Sequence, residues 1–184
     1  RDEGAGLRRA LESVLESAAE GGIVADAVIA QSEPQADALW KLRESMSEAQ
    51  KPEGGSIKHD VSVPLSRVPE FIERATAAVE AAMPAARVCP FGHMGDGNVH
   101  FNVSQPVGMD RARFLDHWER FNRTIHDLVQ ELGGSFSAEH GVGKLKLKDM
   151  DRYKEDVELD LMRAVKTALD PLGIMNPGKV LPPS

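Results

Sequence analysis

Hydrophobic and polar positions along the chain alternate between two periods. Leu7, Leu11, Val14, Leu15 and Ala18 recur at helical spacing, and Gly21-Gly22 stops that pattern. Ile23 to Ala30, rich in Val, Ile and Ala, reads as a strand. Gln31-Ser32-Glu33-Pro34 opens a helix to about Ala49, with Leu39, Leu42 and Met46 on its apolar side. A loop with Pro and a glycine pair, Lys51 to Ser56, leads into strict alternation over Ile57 to Val63, in which Lys58, Asp60 and Ser62 face away from the apolar set. Pro64 ends that strand. The next helix, Arg67 to Ala82, carries Val68, Phe71, Ile72, Ala75 and Val79 on one face.

Arg87 to Phe91 is extended, and Asn98 to Ser104 is its partner. From Asp110 to Leu132 the residues Phe114, Trp118, Phe121, Ile125, Leu128 and Leu132 step by four and three, predicting the longest helix. Ser135 to Ser137 reads as a short strand and Asp156 to Leu169 as the last helix. The proline-rich tail LDPLGIMNPGKVLPPS is expected to be extended and packed over another surface. Helices alternate with strands, and one strand pair is tightly joined. The expected class is α+β, a mostly antiparallel sheet covered by helices, ferredoxin-like and open to internal doubling.

Composition narrows the function. The chain has 184 residues, 41% hydrophobic and 28% charged, an ordinary globular balance sufficient for a real core. A net charge of −7 without a basic block disfavours nucleic acid or an anionic membrane surface as partner. No apolar run approaches the ~18 residues of a membrane span, and no signal peptide opens the sequence. Cys89 is the single cysteine, so no disulfide framework exists within the chain. It reads as a buried small side chain beside a strand, in a reducing compartment, which suggests a bacterial cytoplasmic protein; a membrane-peripheral position and a homodimer are both compatible. The chain begins with Arg1, as a fragment would.

The stretch FGHMGDGNVHFN, residues 91–102, carries the first candidate chemistry. Asp-Gly between extended segments signals a hairpin. With Asp96 and Gly97 as the turn, Gly95 pairs with Asn98, Met94 with Val99 and His93 with His100. His93 and His100 then stand side by side with Asn102 on the same face, while Met94 and Val99 point into the core. Two converging imidazoles suit Zn²⁺ or a similar divalent ion. Spacing alone leaves a metal pair and a polar surface hairpin equally open. His117 and His126 lie off their helix's apolar stripe and are expected in solvent.

SAEHGVG, residues 137–143, sets a carboxylate beside an imidazole before two glycines. In extended chain, adjacent side chains point to opposite sides. Glu139 could then complete a two-histidine, one-carboxylate metal site, leaving His140 as a general base; a polar turn is the alternative. Arg43 and Ser47 share a helix face, and Lys58 sits within a strand. Each is a candidate for a substrate carboxylate or an ordinary solvated group.

GHMGDGNVHFN, SAEHGVG and LDPLGIMNPGKVLP, preceded by LWKLRES and IKHDVSVP, occur in an order and spacing that resembles the C-terminal domain of FAD-linked oxidases of the vanillyl-alcohol-oxidase type. The nearest subgroup is the D-2-hydroxyacid dehydrogenases, which include D-lactate dehydrogenase, D-2-hydroxyglutarate dehydrogenase and the glycolate oxidase D subunit. The resemblance covers residues 23–182. It implies that His93, His100 and Glu139 hold a divalent metal, with zinc expected, and that His140 takes the substrate hydroxyl proton. It implies that Asn102 lines the same pocket, that Arg43, Ser47 and Lys58 hold substrate carboxylates, and that Asn176 approaches the flavin. Ser47 stands where the D-2-hydroxyglutarate dehydrogenases carry threonine, so the hydroxyl is kept. No glycine-rich pyrophosphate-binding segment is present. The resemblance thus implies residues 1–184 as a substrate domain whose partners are a separate N-terminal FAD domain, a small 2-hydroxy acid and an unidentified electron acceptor. Two other classes fit the same residues: a flavin-free metal-dependent hydrolase and a non-catalytic hydroxy-acid-binding domain.

Overall fold

A computed structural model describes residues 3–93 and 95–182, which fall into two compact units, residues up to 48 and residues from 49 onward. The first unit is helical. α1 (Glu3–Glu20) ends as Gly22 takes a positive φ of 68° and the N–H groups of Ile23 and Val24 both close on the Ala18 carbonyl. α2 (Glu33–Ala49) follows. Ile23 to Ala30, expected as a strand, forms none, and Ile23 and Val28 are 82% and 75% exposed. A strand needs a neighbouring backbone to receive its hydrogen bonds, and this unit offers only helices.

The second unit is built on one antiparallel sheet of β1 (Ser56–Ser62), β2 (Arg87–Gly92) and β3 (Asn98–Ser104), in the order β1-β3-β2. α3 (Val68–Ala82) connects β1 to β2. After β3 the chain runs through α4 (Arg111–Leu115) and α5 (Trp118–Glu131) to the free edge of β1. There Ser62 and Ser135 exchange backbone hydrogen bonds of 2.9 and 2.8 Å. The succession is the split βαββαβ plan of a ferredoxin-like fold, with its fourth strand reduced to one bridged pair. Gly134 makes that return possible, because a Cβ there would lie 2.1 Å from the Ser62 carbonyl oxygen. The expected α+β class holds; among the described residues there is a single sheet rather than a doubled one.

Alternation decides what the sheet buries. Ile57 and Val61 of β1 and Phe101 and Val103 of β3 point to one side, where Phe71, Ala75 and Val79 of α3 and Phe121 and Ile125 of α5 cover them. Each such large apolar side chain contributes about 1.5–3 kcal/mol on burial. The opposite face carries Lys58, Asp60, His100 and Asn102.

The long helix expected over Asp110 to Leu132 is broken at Asp116 and His117. Asp110 caps α4 by accepting the Arg113 N–H. The break lets Phe114 and Phe121 both enter the core while Trp118 turns outward, 40% exposed. His126, expected in solvent, is 3% exposed, with Nδ1 3.1 Å from Asp149 Oδ1. That aspartate lies on α6 (Leu147–Tyr153), a helix too short to show a periodic signal. His117 is half-buried beside Phe121. α7 (Asp156–Leu169) forms as expected, started by a reciprocal Glu155/Glu158 capping box. The tail is folded into turns rather than extended: buried Asp170 accepts the N–H groups of Ile174 and Met175. Among the described residues no helix is long and apolar enough to cross a membrane.

Candidate metal and substrate site

The polar face of the sheet assembles in rows. Lys58, Asn102 and Cys89 form one row across β1, β3 and β2, and Asp60, His100 and Phe91 form the next. The ladder between β2 and β3 continues one step further, with the His93 N–H on the Asn98 carbonyl at 3.0 Å. His93 therefore stands opposite Asn98, not His100, and four residues connect the strands instead of a two-residue Asp-Gly turn. Met94 lies outside the described residues, and Gly92 takes the place opposite Val99 expected for it.

Local chemistry fixes this longer loop. Asp96 Oδ1 accepts the Asn98 N–H at 2.9 Å. Gly97 has a φ of 75° and accepts the Val63 N–H through its carbonyl. Because the register differs by two residues, His93 keeps the face it shares with His100. The two rings are perpendicular, 6.1 Å apart, and His93 Nδ1 lies 3.3 Å from Asp96 Oδ2.

The second segment closes over His100 from the far edge of β1. Ala138 donates its N–H to the Asp60 carbonyl, and the Glu139 and His140 N–H groups reach Asp60 Oδ2 at 3.1 and 2.8 Å. This bends the chain, so Glu139 and His140 do not point apart as extended neighbours would. Both converge on His100: Glu139 Oε1 lies 3.1 Å from His100 Nε2 and 3.5 Å from His140 Nε2. The His100 and His140 rings are stacked 5.5 Å apart, tilted by only 20°.

Asp60, His100, Glu139 and His140 can each present one ligand atom within 4.8 Å of the others. Two imidazoles and two carboxylates in that space are donors that could hold a divalent metal ion. Of the expected ligands, His100 and Glu139 are in this group and His93 stands beside it. Burial pushes the His100 imidazole below its ordinary pKa, against the opposing pull of Glu139 and Asp60. That favours the neutral ring a metal requires.

Other candidates surround the group unequally. Lys58 is exposed and, with His59, Asp60, Asn122, His140 and Lys146, lines a cavity of about 390 Å³. Burial lowers the Lys146 pKa, Asp60 and Asp149 resist the shift, and its ammonium donates to the Phe136 carbonyl. Asn102 is buried and donates to Gln50 Oε1 at 2.9 Å. Arg43 and Ser47 are half-buried on α2, in the first unit. Asn176 sits in an exposed turn with a φ of 48° and receives the Lys179 ammonium. It borders a groove of about 560 Å³ lined by Leu161, Val165 and Leu169.

Asp60 is the site residue that sequence reasoning missed. Its signal was present: it occupies an outward position of an alternating strand, two residues after Lys58. Only the cross-strand register shows that its neighbour is His100.

The family model for FAD linked oxidases, C-terminal domain, matches residues 2–180. D-2-hydroxyglutarate dehydrogenase of Stutzerimonas stutzeri (strain A1501) is 40% identical over 168 residues, covering 91% of this chain and 36% of that protein. The enzyme of the same name from Xanthomonas citri pv. viticola is 39% identical over 168 residues, covering 91% of this chain and 35% of its own. The mitochondrial D-2-hydroxyglutarate dehydrogenase of Arabidopsis thaliana is 35% identical over 177 residues, 96% of this chain and 30% of that enzyme. The chain thus spans about a third of the length of these relatives.

Proposed function

The chain belongs to the FAD linked oxidase C-terminal domain family, and from that premise we propose that it is the substrate domain of an FAD-dependent D-2-hydroxyacid dehydrogenase. Its FAD-binding domain lies in sequence outside these 184 residues. The favoured substrate is D-2-hydroxyglutarate, the substrate in the names of its relatives at 35–40% identity. D-Lactate and glycolate are the smaller alternatives. We infer a bacterial cytoplasmic setting, of which the relatives from Stutzerimonas and Xanthomonas support the bacterial part.

The observation that carries the reading is the convergence of His100 and His140, brought from β3 and the loop after α5, on Glu139, which lies within ion-pair distance of both rings. Oxidation of a 2-hydroxy acid removes a hydride from Cα and a proton from the hydroxyl, leaving a 2-oxo acid. Bound FAD supplies the hydride acceptor, and a divalent ion, Zn²⁺ in the first instance, supplies Lewis acidity toward the hydroxyl and its adjacent carboxylate. His93, His100 and Glu139 hold that ion. His140, 65% exposed beside them, accepts the hydroxyl proton. Lys58 binds a carboxylate oxygen, with Asn102 lining the pocket, and so orients Cα; a carboxylate-binding role for Arg43 and Ser47 rests on the family resemblance alone. Asn176 belongs to the surface that approaches the flavin. Reoxidation falls to a separate electron acceptor.

The deciding experiment uses the full-length protein. It should show a flavin absorption spectrum, contain a divalent metal by elemental analysis when purified without an affinity tag, and reduce its flavin with D-2-hydroxyglutarate. A full-length protein without flavin, or one whose bound flavin stays oxidised with all three hydroxy acids, overturns the proposal. Hydrolytic turnover by the isolated chain would instead establish the flavin-free class.

A further inference from the structure

Resting on that reading of the site, we propose that Asp60 is a positioning residue: one buried carboxylate folds the loop bearing Glu139 and His140 and sets the tautomer of both His100 and His140. Asp60 is 5% exposed at the centre of β1. A carboxylate so enclosed must be matched by donors. Its Oδ2 takes two successive backbone N–H groups, from Glu139 and His140. This contact bends the segment so that two adjacent side chains face one target.

The imidazoles are arranged between two carboxylates. Nδ1 of His140 lies 3.5 Å from Asp60 Oδ2, and Nδ1 of His100 lies 3.9 Å from Asp60 Oδ1. The Nε2 atoms of the same rings lie 3.1 and 3.5 Å from Glu139 Oε1. A neutral imidazole carries one proton, on one nitrogen. With a divalent ion held at Glu139, Asp60 would be the nearest carboxylate left to receive an imidazole N–H; that favours the proton on Nδ1 in both rings and leaves both Nε2 lone pairs on the Glu139 side. The lone pair of His100 is then presented to a metal ion and that of His140 to a hydroxyl proton. A carboxylate behind a ligating histidine is a recurrent way of fixing ring orientation and tautomer. Here the same carboxylate stands behind a ligand and a base together. Oδ2 is already occupied by loop donors, which separates its role from that of Glu139.

The test is Asp60→Asn in the full-length enzyme. The amide oxygen, in the place of Oδ2, still accepts the two loop N–H groups, but the charge beside His140 is gone and the amide NH₂, in the place of Oδ1, favours an unprotonated Nδ1 on His100. Metal affinity, read by competition with a chromophoric chelator, is expected to fall about 10–100-fold. With metal saturating, kcat should fall while KM stays near the wild-type value and FAD content is unchanged. Wild-type metal affinity and kcat in this variant would overturn the inference, reducing Asp60 to a loop clamp. Should Asp60→Asn fail to fold, Asp60→Glu, which keeps the charge, decides: metal affinity within about tenfold of wild type supports the inference. A folded, flavin-loaded Asp60→Glu enzyme that has lost metal overturns it. A wild-type enzyme that binds no divalent metal fails earlier, and overturns the metal site itself.

Discussion

Glu139 and His100 meet across the edge of the sheet, Oε1 to Nε2 at 3.1 Å, although one belongs to a loop and the other to the middle of β3. His100 is held by its ladders to both neighbouring strands. Glu139 is held by its backbone N–H on Asp60. A carboxylate and an imidazole fixed from two sides need little reorganisation to take up a divalent ion. Glu139→Gln keeps the shape and removes the charge. In the full-length enzyme it should weaken metal binding by about 10²-fold, because a ligating carboxylate must be ionised. Equilibrium dialysis against Zn²⁺ checks this; unchanged affinity would remove Glu139 from the ligand set.

His140 has the more exposed ring of the stacked pair, with 65% of its side chain exposed against 14% for His100. The accessible ring is the one able to meet a substrate proton. His140→Ala should reduce kcat by about 10²–10⁴-fold, the usual contribution of a general base, with bound FAD retained. Stopped-flow reduction of the flavin reads the chemical step directly. Near-normal flavin reduction in this variant would leave the hydroxyl proton with some other acceptor.

The polar face of the sheet was largely legible in the sequence, because period-two alternation assigns faces without reference to partners. Lys58, Asp60, His100 and Asn102 were assignable to one face by counting. What counting could not supply was which residue stood opposite which. The Asp-Gly pair suggested a two-residue turn, but the Asp96 side-chain contact and the Gly97–Val63 bond stabilise a longer loop. The Asp96 contact is local, between residues two apart, but the Val63 bond depends on tertiary placement. The same holds for His126: it was expected in solvent, but His59 of β1 together with Phe136, Asp149 and Tyr153 encloses it. Ile23 to Ala30 has strand composition but no strand beside it in its unit.

Gly97 tests the loop. Its φ of 75° disfavours any side chain, and a Cβ there would lie 2.1 Å from the Val63 carbonyl oxygen. Gly97→Ala must either break the Val63 bond or shift the strands beside His93 and His100. A loss of about 2–4 kcal/mol is expected, together with weaker metal binding. Gly108 is the control: its φ is 78°, but a Cβ there meets nothing within 4 Å. Gly108→Ala should cost only about 1–2 kcal/mol and leave metal affinity unchanged. Thermal melting and metal titration of both variants distinguish strain at the loop from strain in general.

The core face of β1 sets a pH dependence separate from the site. His59 is buried against His126 of α5, with Nδ1 2.8 Å from the Phe101 carbonyl oxygen, so Nδ1 carries the proton and donates. Burial lowers its pKa from 6.5 to about 4, the Phe101 bond resists, and the nearby His126 and Lys146 add to the lowering. Above pH 6.5 the ring is neutral in folded and unfolded chains alike and contributes no pH dependence. As pH falls below 6.5 the unfolded chain binds a proton that the folded chain refuses, so stability declines until the folded ring titrates near pH 4. The full decline corresponds to about 3 kcal/mol. Hydrogen exchange of the β1 and β3 amides in the full-length protein, corrected for intrinsic rates, should lose protection between pH 6.5 and 4. His59→Gln keeps a donor for the Phe101 carbonyl and has no titration in this range, so its protection should fall less steeply. Equal slopes in the two proteins would assign the acid sensitivity to groups other than His59.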